Sequence, residues 1–181
     1  MVKATSGRDL RTEGSGNIGA RNAFDVSGSK TLGIGVMGLD ALKGALAVLV
    51  CKFAIDPDPN VMSCAGLASI LGHNYSVWLR GKGGRGLATA AGVLLVLGWF
   101  VVAIWGIVWA IVNAIGKNVH VANVAALVLS PVAIALTPAG FISSITPAFA
   151  RNEHITILAS LVSLICLARH IEPMREYLKT R

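Results

Sequence analysis

Two short stretches carry the residue types that could do chemistry. One is Gly14-Ser15-Gly16-Asn17-Ile18-Gly19, followed by Ala20-Arg21-Asn22. The other is Gly81-Lys82-Gly83-Gly84-Arg85-Gly86. Glycine-rich turns let successive backbone N–H groups converge on an anion, and an adjacent Arg or Lys supplies charge. Together the two stretches predict a site for two phosphate-bearing molecules. A third polar point is Arg169-His170, close to the C-terminus. Asp40 and Lys43 stand at i, i+3 in an otherwise apolar stretch and so share a helix face. His73 precedes Asn74 at the end of the next apolar stretch.

The spacing GxGxxG also marks dinucleotide-binding turns, but that fingerprint requires a buried strand before it. Here it is preceded by Ser6-Gly7-Arg8-Asp9-Leu10-Arg11-Thr12-Glu13, which cannot form one. The second loop lacks the Lys-Ser/Thr pair of a Walker A loop. His73, His120, His154 and His170 have no metal-ligand spacing, so no metal site is expected. Cys51, Cys64 and Cys166 lie far apart in apolar segments and read as small hydrophobes. No nucleophile–base dyad can be proposed from spacing.

The elements that must position these residues are membrane helices. Of the 181 residues, 54% are hydrophobic and 14% charged. The apolar residues cluster in runs at 44–50, 87–112, 121–136 and 155–168. About twenty such residues cross a bilayer core as a helix. The sequence therefore predicts an all-α, polytopic integral membrane bundle. The net charge of +7 is then explained by basic loops on one membrane side, and no nucleic-acid partner is expected. The opening MVKATSGRDLR is polar and reads as no signal peptide.

Six segments are expected, at about 34–55, 61–78, 87–97, 99–115, 120–137 and 153–170. Asp56-Pro57-Asp58-Pro59-Asn60 makes the first tight turn. Charge decides whether 87–115 is one helix or two. A break near Gly98-Trp99 places thirteen Lys and Arg on one side and two on the other, with Lys43 inside a span. Without the break the split falls to nine against six. The positive-inside rule selects the break and puts both termini in the cytoplasm. Residues 87–97 then form a half-depth helix, of the kind found at sites sheltered by protein. The whole chain reads as one membrane domain, 1–181. It comprises a cytoplasmic motif loop (1–33), the membrane segments (34–170) and a cytoplasmic tail (171–181). Residues 137–152, with Pro138 and Pro147, read as a loop. Trp78 and Trp99 suit interfacial positions, while Met37, Trp105 and Trp109 read as packing or lipid-facing residues. A transporter would place polar residues along the spans, but these gather at one face.

These strings, in order, resemble the bacterial membrane glycerol-3-phosphate acyltransferases that use acyl phosphate, the PlsY family. The matching residues are Ser6 to Arg11, Gly14 to Asn22, Leu39-Asp40-Ala41-Leu42-Lys43-Gly44, Gly72-His73-Asn74-Tyr75 and Gly81 to Thr89. The resemblance implies a seven-segment fold in the inner, cytoplasmic membrane with its active face cytoplasmic. It implies transfer of a fatty acyl group from acyl phosphate to the 1-hydroxyl of glycerol 3-phosphate, giving lysophosphatidic acid and phosphate, the first step of phospholipid synthesis. It implies no cofactor and no metal. Expected partners are the two substrates, the bilayer and the enzyme that produces acyl phosphate. Ser15, Arg85 and His170 are the expected catalytic residues. Gly14, Ser15, Gly16, Asn17, Arg21, Lys82, Gly83, Gly84, Arg85, Gly86 and Asn123 are expected to bind phosphate, with Asp40, Lys43 and His73 in support.

The chain also departs from the family pattern. No counterpart of the family's first segment precedes Ser6, so the expectation is a truncated gene model or a six-spanning protein. The family's arginine three residues after Asn22 is Asp25, and the second Lys of its KGGKG loop is Arg85. Asn123 replaces a serine and Pro173 an asparagine, while the closing glutamate would lie beyond Arg181. Asp25 inverts a charge at a phosphate site unless Arg21 substitutes. The alternative expectation is an impaired or repurposed relative that binds phospholipid or a partner protein.

Overall fold

The computed structural model describes residues 1–146 and 152–179. Among them the secondary structure is entirely helical. The N-terminal stretch, expected to be loop, carries two short helices, α1 (Val2–Ser6) and α2 (Ala20–Ser27). They enclose a small core of Val2, Leu10, Ala23 and Val26. The spacing of these four apolar residues, sparse among polar ones, hid the helices from a reading by hydropathy.

Helix α3 (Lys30–Val50) starts at Ser29, whose hydroxyl accepts from the Leu32 amide, and continues through a π-turn at Cys51–Ile55. Asp58 then caps α4 (Pro59–Asn74), accepting from the Asn60 and Val61 amides, with Pro59 in the first turn where no amide is needed. The helix ends at Asn74 rather than 78, and Val77–Leu79 forms a 3₁₀ turn. Trp78 is fully exposed there and Trp99 half so, as interfacial residues would be.

Element α5 (Leu87–Gly116) is two helical pieces meeting at a kink at the non-helical Gly98 (φ −169°, ψ 77°), where the sequence predicts the break. A Cβ at Gly98 would press on Ile155 at 2.9 Å. Helices α6 (Val119–Ala135), α7 (Ala139–Ile145), α8 (Asn152–Ala168) and α9 (Ile171–Lys179) complete the chain. Part of the expected 137–152 loop is thus the helix α7, started at Pro138; Pro147 lies outside the described residues.

Two helical segments, Lys30–Ile55 and the kinked Leu87–Gly116, are long and apolar enough to cross a membrane. Two bent pairs, α6 with α7 (104°) and α8 with α9 (50°), qualify when each is taken together. The shorter α4 fills the bundle at 16 residues, about 24 Å of helix. Backbones approach closely where α3 crosses α5. Added Cβ atoms at Gly44 and Gly92 would overlap the carbonyls of Thr89 and Ala41. Small residues at such crossings give the packing that binds helices in a bilayer. The outer surface exposes Ile34, Phe53, Ile107, Ile115 and Leu136, as a lipid-facing surface does. Cys51 and Cys166 are buried as expected of small hydrophobes, whereas Cys64 is exposed on α4.

Candidate active site

The first Gly-rich loop is built around Asn22, which is 3% exposed. Its Oδ1 accepts from the Ser15 amide at 2.9 Å, and its Nδ2 donates to the carbonyls of Leu10 and Glu13, both at 3.1 Å. Gly14 (φ +61°) passes so close to this amide that a side chain would collide with Asn22 Oδ1. Asn17 Oδ1 accepts from the Gly19 amide at 2.7 Å, leading directly into α2. The α2 N-terminus then presents the amides of Ala20, Arg21 and Asn22, which lack intrahelical partners. Upstream, Arg11 hydrogen bonds hold the Asp9 carboxyl well below the usual carboxylate range.

The second loop is locked along both edges. The amides of Gly83 and Gly84 donate to the carbonyls of Asn74 and His73 at the end of α4, at 3.2 and 3.1 Å. Their own carbonyls accept from Arg169 Nη2 and Nε at 3.1 and 3.2 Å. Asn74, fully buried, donates from Nδ2 to the Ile165 carbonyl at 3.2 Å and so ties α4 to α8. Gly86 (φ +82°) turns the chain into α5 and packs against the Asn74 amide. The amides free to meet an anion are therefore those opening α5, at Leu87 and Ala88, rather than those of Gly83 and Gly84.

Both helix starts open onto one cavity of about 610 Å³. Ser15, Asn17, Arg21, Asp40, His73, Arg85, Gly86, Asn123 and His170 all line it. Of the expected site residues, Gly14, Gly16, Lys43, Lys82, Gly83 and Gly84 stand outside its lining. Lys82 instead lines a separate groove of about 380 Å³ with Arg11, Gly16, Trp78, Leu79 and Arg80. The rest of the main cavity is apolar: Leu94, Val101, Val102, Trp105 and Trp109 from α5, Leu127 from α6 and Val162 from α8. Trp105 and Trp109 stack with ring centres 6.3 Å apart, so they serve as cavity wall, which their spacing alone did not reveal. Met37 lines the cavity as well as being half-exposed.

Among the described residues, neither the Arg85 guanidinium nor the Ser15 hydroxyl has a hydrogen-bond partner. Burial pushes the Arg85 guanidinium below its usual arginine value; Glu176 opposes that shift and Arg169 adds to it. A half-buried, unpaired cation in a cavity is the arrangement an anionic ligand completes. His170 is 1% exposed, with Nδ1 2.8 Å from the Cys166 carbonyl. That carbonyl can only accept, so the proton lies on Nδ1 and Nε2 is an unpartnered acceptor at the cavity wall. Asp40 Oδ1 accepts from Lys43 at 2.6 Å and lies 3.5 Å from His73 Nδ1, and Lys43 also contacts that nitrogen. This cluster backs the second loop, since Gly84 packs directly on His73 Nε2. Arg21 is bound at 2.9 Å to Asp25 one helical turn away.

A profile described as glycerol-3-phosphate acyltransferase matches residues 1–180. The chain belongs to the glycerol-3-phosphate acyltransferase family. A glycerol-3-phosphate acyltransferase of Mesorhizobium japonicum is 36% identical over 171 residues, covering 94% of this chain and 78% of that protein. One from Myxococcus xanthus is 52% identical over 97 residues, covering 54% of this chain and half of that protein's length. The crystal structure of PlsY (YgiH), an integral membrane glycerol 3-phosphate acyltransferase in its glycerol 3-phosphate form, is similar with a TM-score of 0.78 at 30% identity. That similarity covers 99% of this chain and 85% of the other. A lysophosphatidic acid form of the same protein is similar at a TM-score of 0.77 and 28% identity. The acyltransferase family thus accounts for the all-helical membrane fold, and the apolar surface agrees with it.

Three residues that position the site are not among the expected site residues. They are Asn22, Asn74 and Arg169. A signal existed for the asparagines: each follows a glycine within three residues and has an amide able to satisfy several backbone groups.

Proposed function

We propose that this protein transfers a fatty acyl group from acyl phosphate to the 1-hydroxyl of glycerol 3-phosphate, at the cytoplasmic face of the inner membrane. One observation carries the reading. A single cavity joins two helix N-termini and two arginines to an apolar limb walled by Trp105 and Trp109. Helix N-termini and guanidinium groups suit phosphate oxygens, and the apolar limb suits an acyl chain. The substrate hydroxyl oxygen attacks the acyl carbonyl carbon, the bond from that carbon to the bridging phosphate oxygen breaks, and the hydroxyl proton leaves with the departing phosphate. The products are lysophosphatidic acid and inorganic phosphate. Ser15, Asn17 and the α2 and α5 amides hold phosphate, Arg85 offsets charge developing on the leaving group, and His170 Nε2 accepts a hydrogen bond from substrate. The chain supplies orientation and charge stabilisation in a dry site and no covalent nucleophile. The whole of residues 1–181 acts as one membrane domain, and the enzyme that makes acyl phosphate delivers it from the same membrane face.

The donor assignment is tested by presenting purified protein in lipid nanodiscs with labelled glycerol 3-phosphate and each of two donors. Acyl phosphate should yield lysophosphatidic acid and acyl-CoA none. Product from acyl-CoA at a comparable rate would refute the donor assignment.

A second reading, a phospholipid-binding relative with impaired catalysis, is favoured by the Arg21–Asp25 pair, which ties up a cation at the cavity. Growth of a strain lacking its own acyltransferase discriminates. Rescue that depends on Arg85 supports the enzyme, whereas stable expression without rescue supports the binding protein.

A further inference from the structure

We infer that Arg169 is a positioning residue that sets the conformation of the loop presenting Arg85, and does so from outside the cavity. Adjacent residues divide the work. His170 lines the cavity, while Arg169 turns away and spans the back of the loop. Its planar fork places Nη2 on the Gly83 carbonyl at 3.1 Å and Nε on the Gly84 carbonyl at 3.2 Å. The guanidinium carbon lies 5.4 Å from the centre of the Tyr75 ring. A guanidinium suits this place because it donates to two oxygens in a fixed geometry and stacks on an aromatic face, which an ammonium cannot do at once.

The opposite edge of the same two glycines is held by the His73 and Asn74 carbonyls. Neither glycine has a side chain to anchor it, so the loop is fixed by hydrogen bonds to its backbone, from the α4 carbonyls on one edge and from Arg169 on the other. Arg85 is the next residue, and its amide leads into the α5 N-terminus. Loss of Arg169 would free one edge of the loop and leave two buried carbonyls unsatisfied, so Arg85 would no longer be held for its ligand. Arg169 also adds positive charge beside Arg85. The end of α8 therefore carries a contact to substrate, His170, and a brace for the opposing contact, Arg85.

This inference takes its activity readout from the proposed acyl transfer, so the test includes a readout independent of it. Full-length protein and the variants Arg169→Ala and Arg169→Lys are placed in nanodiscs and compared by amide hydrogen exchange. In Arg169→Ala, exchange at 83–86 should rise by about tenfold or more while 14–22 is unchanged. For glycerol 3-phosphate, kcat/KM should fall by about tenfold or more, and added guanidinium ion should restore part of it. Arg169→Lys, which keeps the charge without the fork, should stay impaired and serves where the alanine variant does not fold. Wild-type exchange at 83–86 in a folded variant would overturn the inference. So would full recovery with lysine, which would reduce Arg169 to its charge. A wild-type protein inactive with every donor would refute the acyl-transfer reading, while the exchange arm would still decide the role of Arg169.

Discussion

Arg21 Nε lies 2.9 Å from Asp25 Oδ2, one helical turn along α2, at the edge of the cavity. Asp25 occupies the place where the resembling pattern has an arginine, and the structure shows it paired with Arg21. Both side chains are substantially exposed, at 65% and 45%, so the pair is weak. Asp25→Asn should release Arg21 and lower KM for glycerol 3-phosphate by about two- to fivefold, the equivalent of an exposed ion pair. Steady-state kinetics would show it, and a raised KM would contradict it.

Arg85 lines the cavity onto which both helix starts open and has no hydrogen-bond partner among the described residues. Arg85→Ala should lower kcat/KM by about a hundredfold or more, as loss of a charged donor to a transition state does. Arg85→Lys should keep more of the activity, because the family pattern has lysine there and the charge is preserved. Equal loss in both variants would show that the fork, and not the charge, matters.

Lys82 gives the opposite expectation. It sits three residues before Arg85 in a loop that reads as one anion nest, yet it lines a different groove. Lys82→Ala should change KM for glycerol 3-phosphate by less than about threefold, as a screened surface charge would. A change as large as that of Arg85→Ala would place Lys82 at the substrate after all.

The α3–α5 crossing supports a stability prediction. Gly44 faces the Thr89 carbonyl and Gly92 the Ala41 carbonyl with no room for a side chain. Gly44→Leu should destabilise the bundle by about 3 kcal/mol, since a rigid backbone must move to admit it. Thermal unfolding in detergent would register a lower midpoint. Gly72→Ala, with open space around its Cβ position, is the control that should leave the midpoint within a degree or two.

Much of this arrangement is legible in the residue order, because it rests on local chemistry. Glycines beside cations marked both loops, apolar runs marked the long helices, and alternating charge located the interruption at Gly98. What the sequence does not disclose depends on distant partners. Arg169 meets glycines 85 and 86 residues away, and Asn74 meets a carbonyl 91 residues away. Local spacing contains nothing that pairs them. For the same reason the nest at Gly83 and Gly84 looked open from its composition, although α4 carbonyls consume its amides. The short helices α1, α2 and α7 were missed because a few turns of mixed polarity leave no periodic signal, and their tertiary contacts stabilise them.

The proposed reaction in the two-armed cavity moves an acyl group from one phosphate-bearing substrate to another. The most direct measurement follows both products at once in a reaction of purified full-length protein with acyl phosphate and glycerol 3-phosphate, by phosphorus NMR. Lysophosphatidic acid and inorganic phosphate should appear in equal amounts, with both lost in Arg85→Ala. Phosphate released without lysophosphatidic acid, or equal product formation in the Arg85→Ala protein, would contradict it.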